Sequence, residues 1–322
     1  MKALGTLLCM LILGSCASTP QSRQLLADGL GSLPTAVELT DTPFYPQVQY
    51  QCGPAALATV LQSRGINTTP DALSRQVYIP EREGSLQIEM AVAARRHNML
   101  PYPLAHRLSD LFTEIAAGNP VLVLQNLGLE WFPQWHYAVV VGYNTGTQEV
   151  ILRSGKTRRW VTSFEVFERT WQRADFWALA IVPAGEIPAT AEPLSYLKSA
   201  YAFEETGNII SAQMAYRSAT EHWPDRSVTW TALGNLALAG HDWHEAVSAF
   251  NTASNIDPES VIIWNNLAYA LHFYGCRSQA MMSLQCGLKV SPADKNLQDS
   301  WHDLADSPTG IYRADCPAIK CY

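Results

Sequence analysis

The spacing of apolar positions changes twice along the chain and divides it into three stretches. From Gly53 to Arg64 apolar and small residues are almost continuous, with Pro54 in the first turn and Gly65 just after, the punctuation of a helix start and stop. Thr69-Pro70 opens a second helix, and Gly84-Ser85 opens a third that runs through Met90 and Val92 to about His97. Ser109 is placed to cap a fourth, ending at Gly118. The period then shortens. Val121–Gln125, His136–Tyr143 and Val150–Arg153 read as strands, the last two joined by the turn Asn144-Thr145-Gly146-Thr147. Arg159–Val161 extends the sheet, Thr162–Glu165 resembles a capping box for one more helix, and Phe176–Val182 closes the sheet. Helices first and antiparallel strands later make an α+β domain over residues 41–185, with a Cys-bearing helix packed on the sheet.

Residues 186–192 form a Pro/Ala linker, and everything after it reads helical. Pro224, Pro258 and Pro292 fall 34 residues apart, as do Trp230 and Trp264, with Tyr196 at the equivalent earlier place. That period resembles the tetratricopeptide repeat. The middle copy keeps Leu233, Gly234, Ala246, Phe250 and Ala253, and the third keeps Leu267, Ala268, Ala280, Leu284 and Gly287. Small residues let paired helices approach closely, and proline ends each second helix. One such pair cannot bury its apolar face alone, so three stacked repeats over 193–300 are expected, followed by a Cys-containing tail over 301–322. Arrays of this kind bind partner polypeptides in a groove or brace a neighbouring domain.

The first residues read as targeting rather than fold. Lys2 precedes the short apolar run Leu4–Leu13, and Leu13-Gly14-Ser15-Cys16 resembles the lipobox of bacterial lipoproteins. The resemblance implies a signal peptide over 1–15, a lipid-bearing Cys16, and a tether over 16–40. An ordinary signal peptide cut near Ser15 or Ala17 is the rival reading. By resemblance to the sorting pattern of such lipoproteins, Ala17 in place of Asp implies an outer-membrane anchor facing the periplasm. No later stretch approaches the ~18 apolar residues of a spanning helix.

Composition narrows the chemistry. Hydrophobic residues make up 48% and charged residues 16%, enough for a packed core, and a net charge of −7 argues against a nucleic-acid partner. Lys156, Arg158 and Arg159 read as a solvated hairpin face. An exported chain permits disulfides. Of seven Cys, setting aside Cys9, Cys16 and Cys52 leaves Cys276, Cys286, Cys316 and Cys321, an even set with three pairings among which sequence does not choose. Without CxxC or HExxH a metal site is disfavoured, and no cofactor is expected.

The candidate chemistry lies in Gln51-Cys52-Gly53-Pro54-Ala55-Ala56-Leu57. A Cys opening a helix meets free N–H groups and the positive dipole end, which lower a thiol pKa. His136, at the mouth of the apolar strand His136–Tyr143, is oddly placed for a core residue and suits a base facing that helix end. His97 and His106 lie in polar contexts and read as surface residues.

Pro46-Gln47…Gln51-Cys52-Gly53-Pro54-Ala55-Ala56-Leu57-Ala58, with His136-Tyr137-Ala138-Val139-Val140 about 84 residues later, resembles the C39 peptidases. These are papain-like cysteine peptidases known as leader-cutting domains of bacteriocin exporters. The resemblance covers about residues 44–182. It implies Cys52 as nucleophile, His136 as base and Gln47 as an oxyanion donor. The family places that Gln one residue earlier, where Pro46 stands, so Gln49 is a rival. The family's Asp after the His strand is replaced by Ser154, with Asn144 a poorer alternative. No spanning helices and no GxxxxGK[ST] loop are present, so any transport ATPase would be a separate protein. The aromatic run Glu130–Trp135 either walls a substrate cleft or packs on an exposed edge. The expected activity is an envelope-anchored cysteine peptidase that cuts an exported polypeptide, with repeats for protein binding. A non-catalytic peptide-binding adaptor and a Cys-dependent acyl or amide transferase remain the alternatives.

Overall fold

The structure is a computed structural model that describes residues 19–29, 31–47, 50–307, 313 and 315–321. They fall into two compact units, one ending at Pro183 with Pro188–Thr190 added, the other comprising Ala184–Ile187 and the chain from Ala191 onward.

The first unit runs α1 (Pro20–Asp28), β1 (Ala36–Glu38), α2 (Cys52–Ser63), α3 (Pro70–Val77), β2 (Tyr78–Ile79), a single 3₁₀ turn (Pro80–Arg82), β3 (Gly84–Ser85), α4 (Gln87–Arg96), β4 (Met99–Pro103), α5 (Leu108–Ala116), β5 (Val121–Asn126), β6 (Trp135–Asn144), β7 (Glu149–Ser154), β8 (Thr157–Ser163), α6 (Phe164–Gln172) and β9 (Ala178–Pro183). Six strands form an antiparallel sheet in the order β4-β9-β5-β6-β7-β8, with β1 as a seventh strand on β6. The long strand β6 is shared: its first half pairs with β5, and Gly142–Asn144 pairs with β1. The Ala/Leu/Val face of α2 packs on this sheet, joining Leu73, Met90, Val139 and Ile181 in one core. This is the α+β order expected from the apolar periods.

Several boundaries differ from the sequence reading, each for a local reason. Gly84-Ser85 is strand β3, paired with β2, and the helix starts at Gln87. Ser109 lies inside α5, its hydroxyl donating to Asp110, so it is not the cap. Ser163, not Thr162, caps α6 by accepting from the Val166 N–H. Strand β4 was hidden by Pro101 and Pro103; at the sheet edge, where proline is tolerated, it pairs only with β9. Strand β9 consequently lies inside the sheet rather than closing it.

The expected tether over 16–40 is corrected in its described part, because α1 and β1 belong to the fold. The buried Glu168 carboxylate accepts from the backbone N–H of Gln21 (3.0 Å) and of Ser22 (2.7 Å) and from the Ser22 hydroxyl (2.5 Å). A carboxylate facing the free N–H groups of a helix start is favourable twice, by hydrogen bond and by dipole. Nothing local in residues 20–28 announces it, since the partner is 146 residues away. Glu168→Ala should release α1, speeding protease nicking within residues 20–28 and lowering stability by about 2 kcal/mol in urea unfolding. Unchanged nicking would show that α1 is held by other contacts.

The second unit is all helical: α7 (Pro193–Glu205), α8 (Ile209–His222), α9 (Ser227–Ala239), α10 (Trp243–Ile256), α11 (Val261–Tyr274), α12 (Arg277–Val290) and α13 (Lys295–Asp306). The 34-residue period has a visible cause. Trp230 Nε1–H donates to Pro224 O (2.9 Å), Trp264 Nε1–H to Pro258 O (2.7 Å), and Gln298 Nε2–H to Pro292 O (2.9 Å). Each fastens a first helix to the proline turn before it. A Cβ on Gly234 would stand 2.8 Å from the Phe250 ring, so this contact between α9 and α10 requires glycine. Helix α13 crosses the expected boundary at 300, putting Leu297 and Leu304 into the core beside Ile319 of the tail. The disulfides are Cys276–Cys316 and Cys286–Cys321, which selects one of the three pairings.

Candidate active site

Cys52 is the first residue of α2, and Gln51 precedes it as N-cap with Ala55 N–H returning to Gln51 O (3.2 Å). It is the free thiol among the described residues. The sequence places it there because Gly53 and Pro54 tolerate the first turn, and Gly53 also admits β3: a Cβ on Gly53 would lie 2.5 Å from Ser85 Oγ. The thiol's electrostatics depart from the sequence reading. Burial pushes the Cys52 thiol above its ordinary value, outweighing the N–H groups of Tyr137, Gly53 and Cys52 itself, which favour the thiolate. The helix terminus acts in the expected direction, but desolvation is larger.

His136 lies near the start of β6. Its Nε2 is 2.8 Å from Ser154 Oγ, and burial lowers its imidazolium pKa. With Nε2 engaged, Nδ1 is the ring nitrogen left for proton transfer. Ser154, at the end of β7, therefore meets the histidine. Asn144 does not: its side chain accepts from Thr147 N–H (3.1 Å) in the turn at the far end of β6.

Gln47 is clamped between β6 and the turn joining β7 to β8. Its Nε2 donates to Tyr137 O (3.2 Å), its Oε1 accepts from Gly155 N–H (3.1 Å), and its own N–H donates to Gly155 O (2.9 Å). One amide hydrogen is thus spent on Tyr137, leaving the second as a donor. The buried Arg153 supports the loop before it by donating to Thr42 O and Thr40 O. The rival Gln49 lies outside the described residues, as do Cys16 and the expected signal peptide over 1–15.

Gln47, Cys52, His136 and Gly155 line one cleft of about 1180 Å³, faced by Gly84-Ser85 and Trp135. Three participants escaped the sequence reading. Ser85 was assigned to a helix start; its Oγ is buried without a hydrogen-bond partner beside Gly53. Tyr137 supplies its backbone N–H near the thiol, its C=O to Gln47 and its hydroxyl to Ser85 O (3.2 Å). Burial, and secondarily the Cys52 charge, raises the Tyr137 pKa and keeps that hydroxyl protonated. Gly155 holds Gln47 from both sides. Adjacency to His136 and Ser154 marks the neighbourhood of the last two but not their roles. Of the aromatic run, Trp135 lines the cleft, whereas Trp131 and Phe132 are exposed beyond it.

With this geometry established, known proteins supply a comparison. Residues 39–179 match the model of the Peptidase_C39 like family. No curated protein matches the chain. Among solved structures, a C39-like peptidase from Bacillus anthracis is 18% identical, with a TM-score of 0.39, covering 46% of this chain and 98% of that one. The peptidase domain of Streptococcus ComA, a bifunctional ABC transporter of a quorum-sensing pathway, is 19% identical with a TM-score of 0.35, covering 44% and 98%. The second tetratricopeptide-repeat domain of human RPAP3, solved with an HSP70 peptide, is 15% identical with a TM-score of 0.34, covering 36% and 100%. On the family match over residues 39–179 and the 34-residue helical register, the chain carries a C39-like domain followed by helices like those of tetratricopeptide repeats.

Proposed function

We propose that this protein is a cysteine peptidase that hydrolyses a peptide bond of an exported polypeptide, with Cys52 as nucleophile, His136 as base, Ser154 orienting the imidazole and Gln47 assisting at the oxyanion. The observation that carries this reading is that Cys52 and His136 line one cleft, with His136 Nε2 held by Ser154. The pKa directions favour a neutral resting pair of thiol and imidazole. His136 Nδ1 then takes the thiol proton as Sγ attacks the carbonyl carbon. The second amide hydrogen of Gln47 and the Cys52 N–H receive the developing oxyanion, at about 3 kcal/mol per donor. Collapse breaks the C–N bond, and the imidazolium returns its proton to the departing amine. Water, deprotonated by His136, hydrolyses the thioester.

The anchored location, with an acyl group on Cys16, belongs to the same proposal. Two disulfides in the helical unit support an oxidising, exported environment. For the helical unit we propose a polypeptide partner. One row of first-helix side chains supports it: Asn266 Nδ2 donates to Asn235 Oδ1 (3.0 Å), Tyr269 reaches Asp303 (3.4 Å), and Ile262 and Phe273 are exposed.

The test incubates the full chain with an unfolded, carboxymethylated polypeptide and reads new termini by mass spectrometry. New termini from the wild type, and none from Cys52→Ala, are expected. The replacement of the family's Asp by Ser154 favours a second reading, the non-catalytic adaptor: it predicts binding with no new termini from either protein. Diversion of product by added glycinamide would instead identify a transferase.

A further inference from the structure

We propose that the arm Leu127–Trp135 inserts its aromatic side chains into the headgroup region of a zwitterionic bilayer, alongside the acyl anchor on Cys16. This rests on the anchored reading above.

The arm is unusual in what it exposes. Leu127, Leu129, Trp131, Phe132 and Trp135 are all exposed, Trp131 to 81% and Phe132 to 64%. Glu130 is the one ionisable side chain among these residues. Such residues ordinarily collapse onto a core, and here the backbone forbids it. Asn126 Oδ1 accepts from the N–H groups of Gly128 (2.9 Å) and Gln134 (2.9 Å), Leu127 N–H donates to Gln134 O (2.9 Å), and Leu129 and Phe132 exchange backbone bonds of 3.2 Å. A Cβ on Gly128 would stand 2.4 Å from Phe132 O. Arg173 grips the base through Nε and Nη2 to Asn126 O (3.1 and 2.9 Å). The arm is a stiff hairpin presenting apolar rings.

The reach of the anchor says what covers it. Four residue steps separate Cys16 from Pro20, where α1 begins, a span of at most about 14 Å. The start of α1 is pinned: Gln21 donates to His106 O (2.9 Å) and accepts from Leu108 N–H (2.7 Å), and Glu168 holds its N–H groups. The His106 ring is tilted against Phe176, with centroids 5.9 Å apart. The start of α1 and the base of the arm are thus fastened to the same helix, at Glu168 and at the C-cap Arg173 of α6, so an acyl chain in the bilayer brings the arm to its surface. Trp and Phe partition to that interface through their apolar bodies, Trp with an N–H left for the polar side. Glu130 disfavours anionic headgroups, which makes phosphatidylethanolamine or phosphatidylcholine the fitting lipid. Because Gln134 and Trp135 line the cleft, its mouth would open beside the membrane.

The test reconstitutes the full mature chain into phosphatidylcholine–phosphatidylethanolamine vesicles with brominated or ordinary acyl chains. The comparison is the double variant Trp131→Phe with Trp135→Phe, which keeps apolar bulk but removes two of the ten tryptophans. Expected is bromine quenching of wild-type emission that the double variant loses while still floating with the vesicles. Equal quenching of both proteins, or none in the wild type, overturns the proposal. Quenching absent while an unfolded polypeptide shifts the emission of these two tryptophans overturns it in favour of a substrate wall. Mass spectrometry of the Cys16 peptide separates the causes: an unacylated Cys16 removes the premise, whereas an acylated Cys16 without quenching removes the arm's role.

Discussion

His136→Ala will slow peptide hydrolysis at pH 7.5 by about 10²–10⁴-fold, and Cys52→Ala will remove it. The two losses have different shapes. Burial raises the Cys52 thiol and lowers the His136 imidazolium, so near neutrality both groups are uncharged. The reacting form is then neutral thiol beside neutral imidazole. Its population falls at low pH when His136 protonates, below the ordinary imidazole value of ~6.5, and at high pH when Cys52 ionises, above the ordinary thiol value of ~8.5. The kcat/KM profile should therefore be a broad plateau with its acid edge below about pH 6.5. In His136→Ala the acid edge disappears and the remaining rate climbs with thiolate, about tenfold per pH unit, up to the raised thiol pKa. A profile in His136→Ala that retains both the acid edge and the wild-type rate would remove histidine from the mechanism. A wild-type acid edge above pH 7 would contradict the burial argument instead.

The contrast between what sequence made legible and what it hid follows the range of the forces involved. Local chemistry was readable: Thr69 caps α3, Gly53 and Pro54 open α2, and the Trp–Pro period of the helical unit repeats because each tryptophan bonds a carbonyl only six residues back. Features fixed by distant partners were not. α1 looked like a tether because its stabilising carboxylate, Glu168, comes from another part of the chain. Strand β4 looked unlike a strand because its two prolines are acceptable only once it occupies an edge. The disulfide pairing depends on how the tail returns along α12, to its N-cap Cys276 and to Cys286 within it.

The same division runs through the site. Cys52, His136, Gln47 and Ser154 were all named from sequence, and the structure puts Ser154 on His136 while giving Asn144 to its own turn. What sequence misjudged was the balance of energies at the thiol. A helix N-terminus is visible as a motif, whereas desolvation depends on Tyr137, Ser85 and the sheet closing around Cys52, and here it is the larger effect. The role of Gly155 in clamping Gln47 was likewise invisible, since it rests on backbone atoms that any residue carries.

Ser154→Asp is expected to convert the neutral pair into an ion pair. A carboxylate beside Nε2, which Ser154 Oγ now meets at 2.8 Å, stabilises the imidazolium and should raise the His136 pKa. An imidazolium beside the thiol in turn stabilises the thiolate. The sign is opposite to that of burial at both groups: the His136 pKa goes up and that of Cys52 goes down. At pH 6 alkylation of Cys52 by iodoacetamide should accelerate about tenfold or more over the wild type, and the gain should vanish in the double variant Ser154→Asp with His136→Ala. Ser154→Asn, which orients the ring without adding charge, should leave the alkylation profile near that of the wild type; an equal gain from Asn would show that orientation, not charge, limits the pair. If Ser154→Asp changes neither the alkylation profile nor the His136 titration followed by NMR, Ser154 does not control the imidazole. Hydrolysis that rises together with alkylation would mark the serine as a brake on a working peptidase. Faster alkylation without hydrolysis would mark the cleft as one that still holds the reactive pair but uses it for binding.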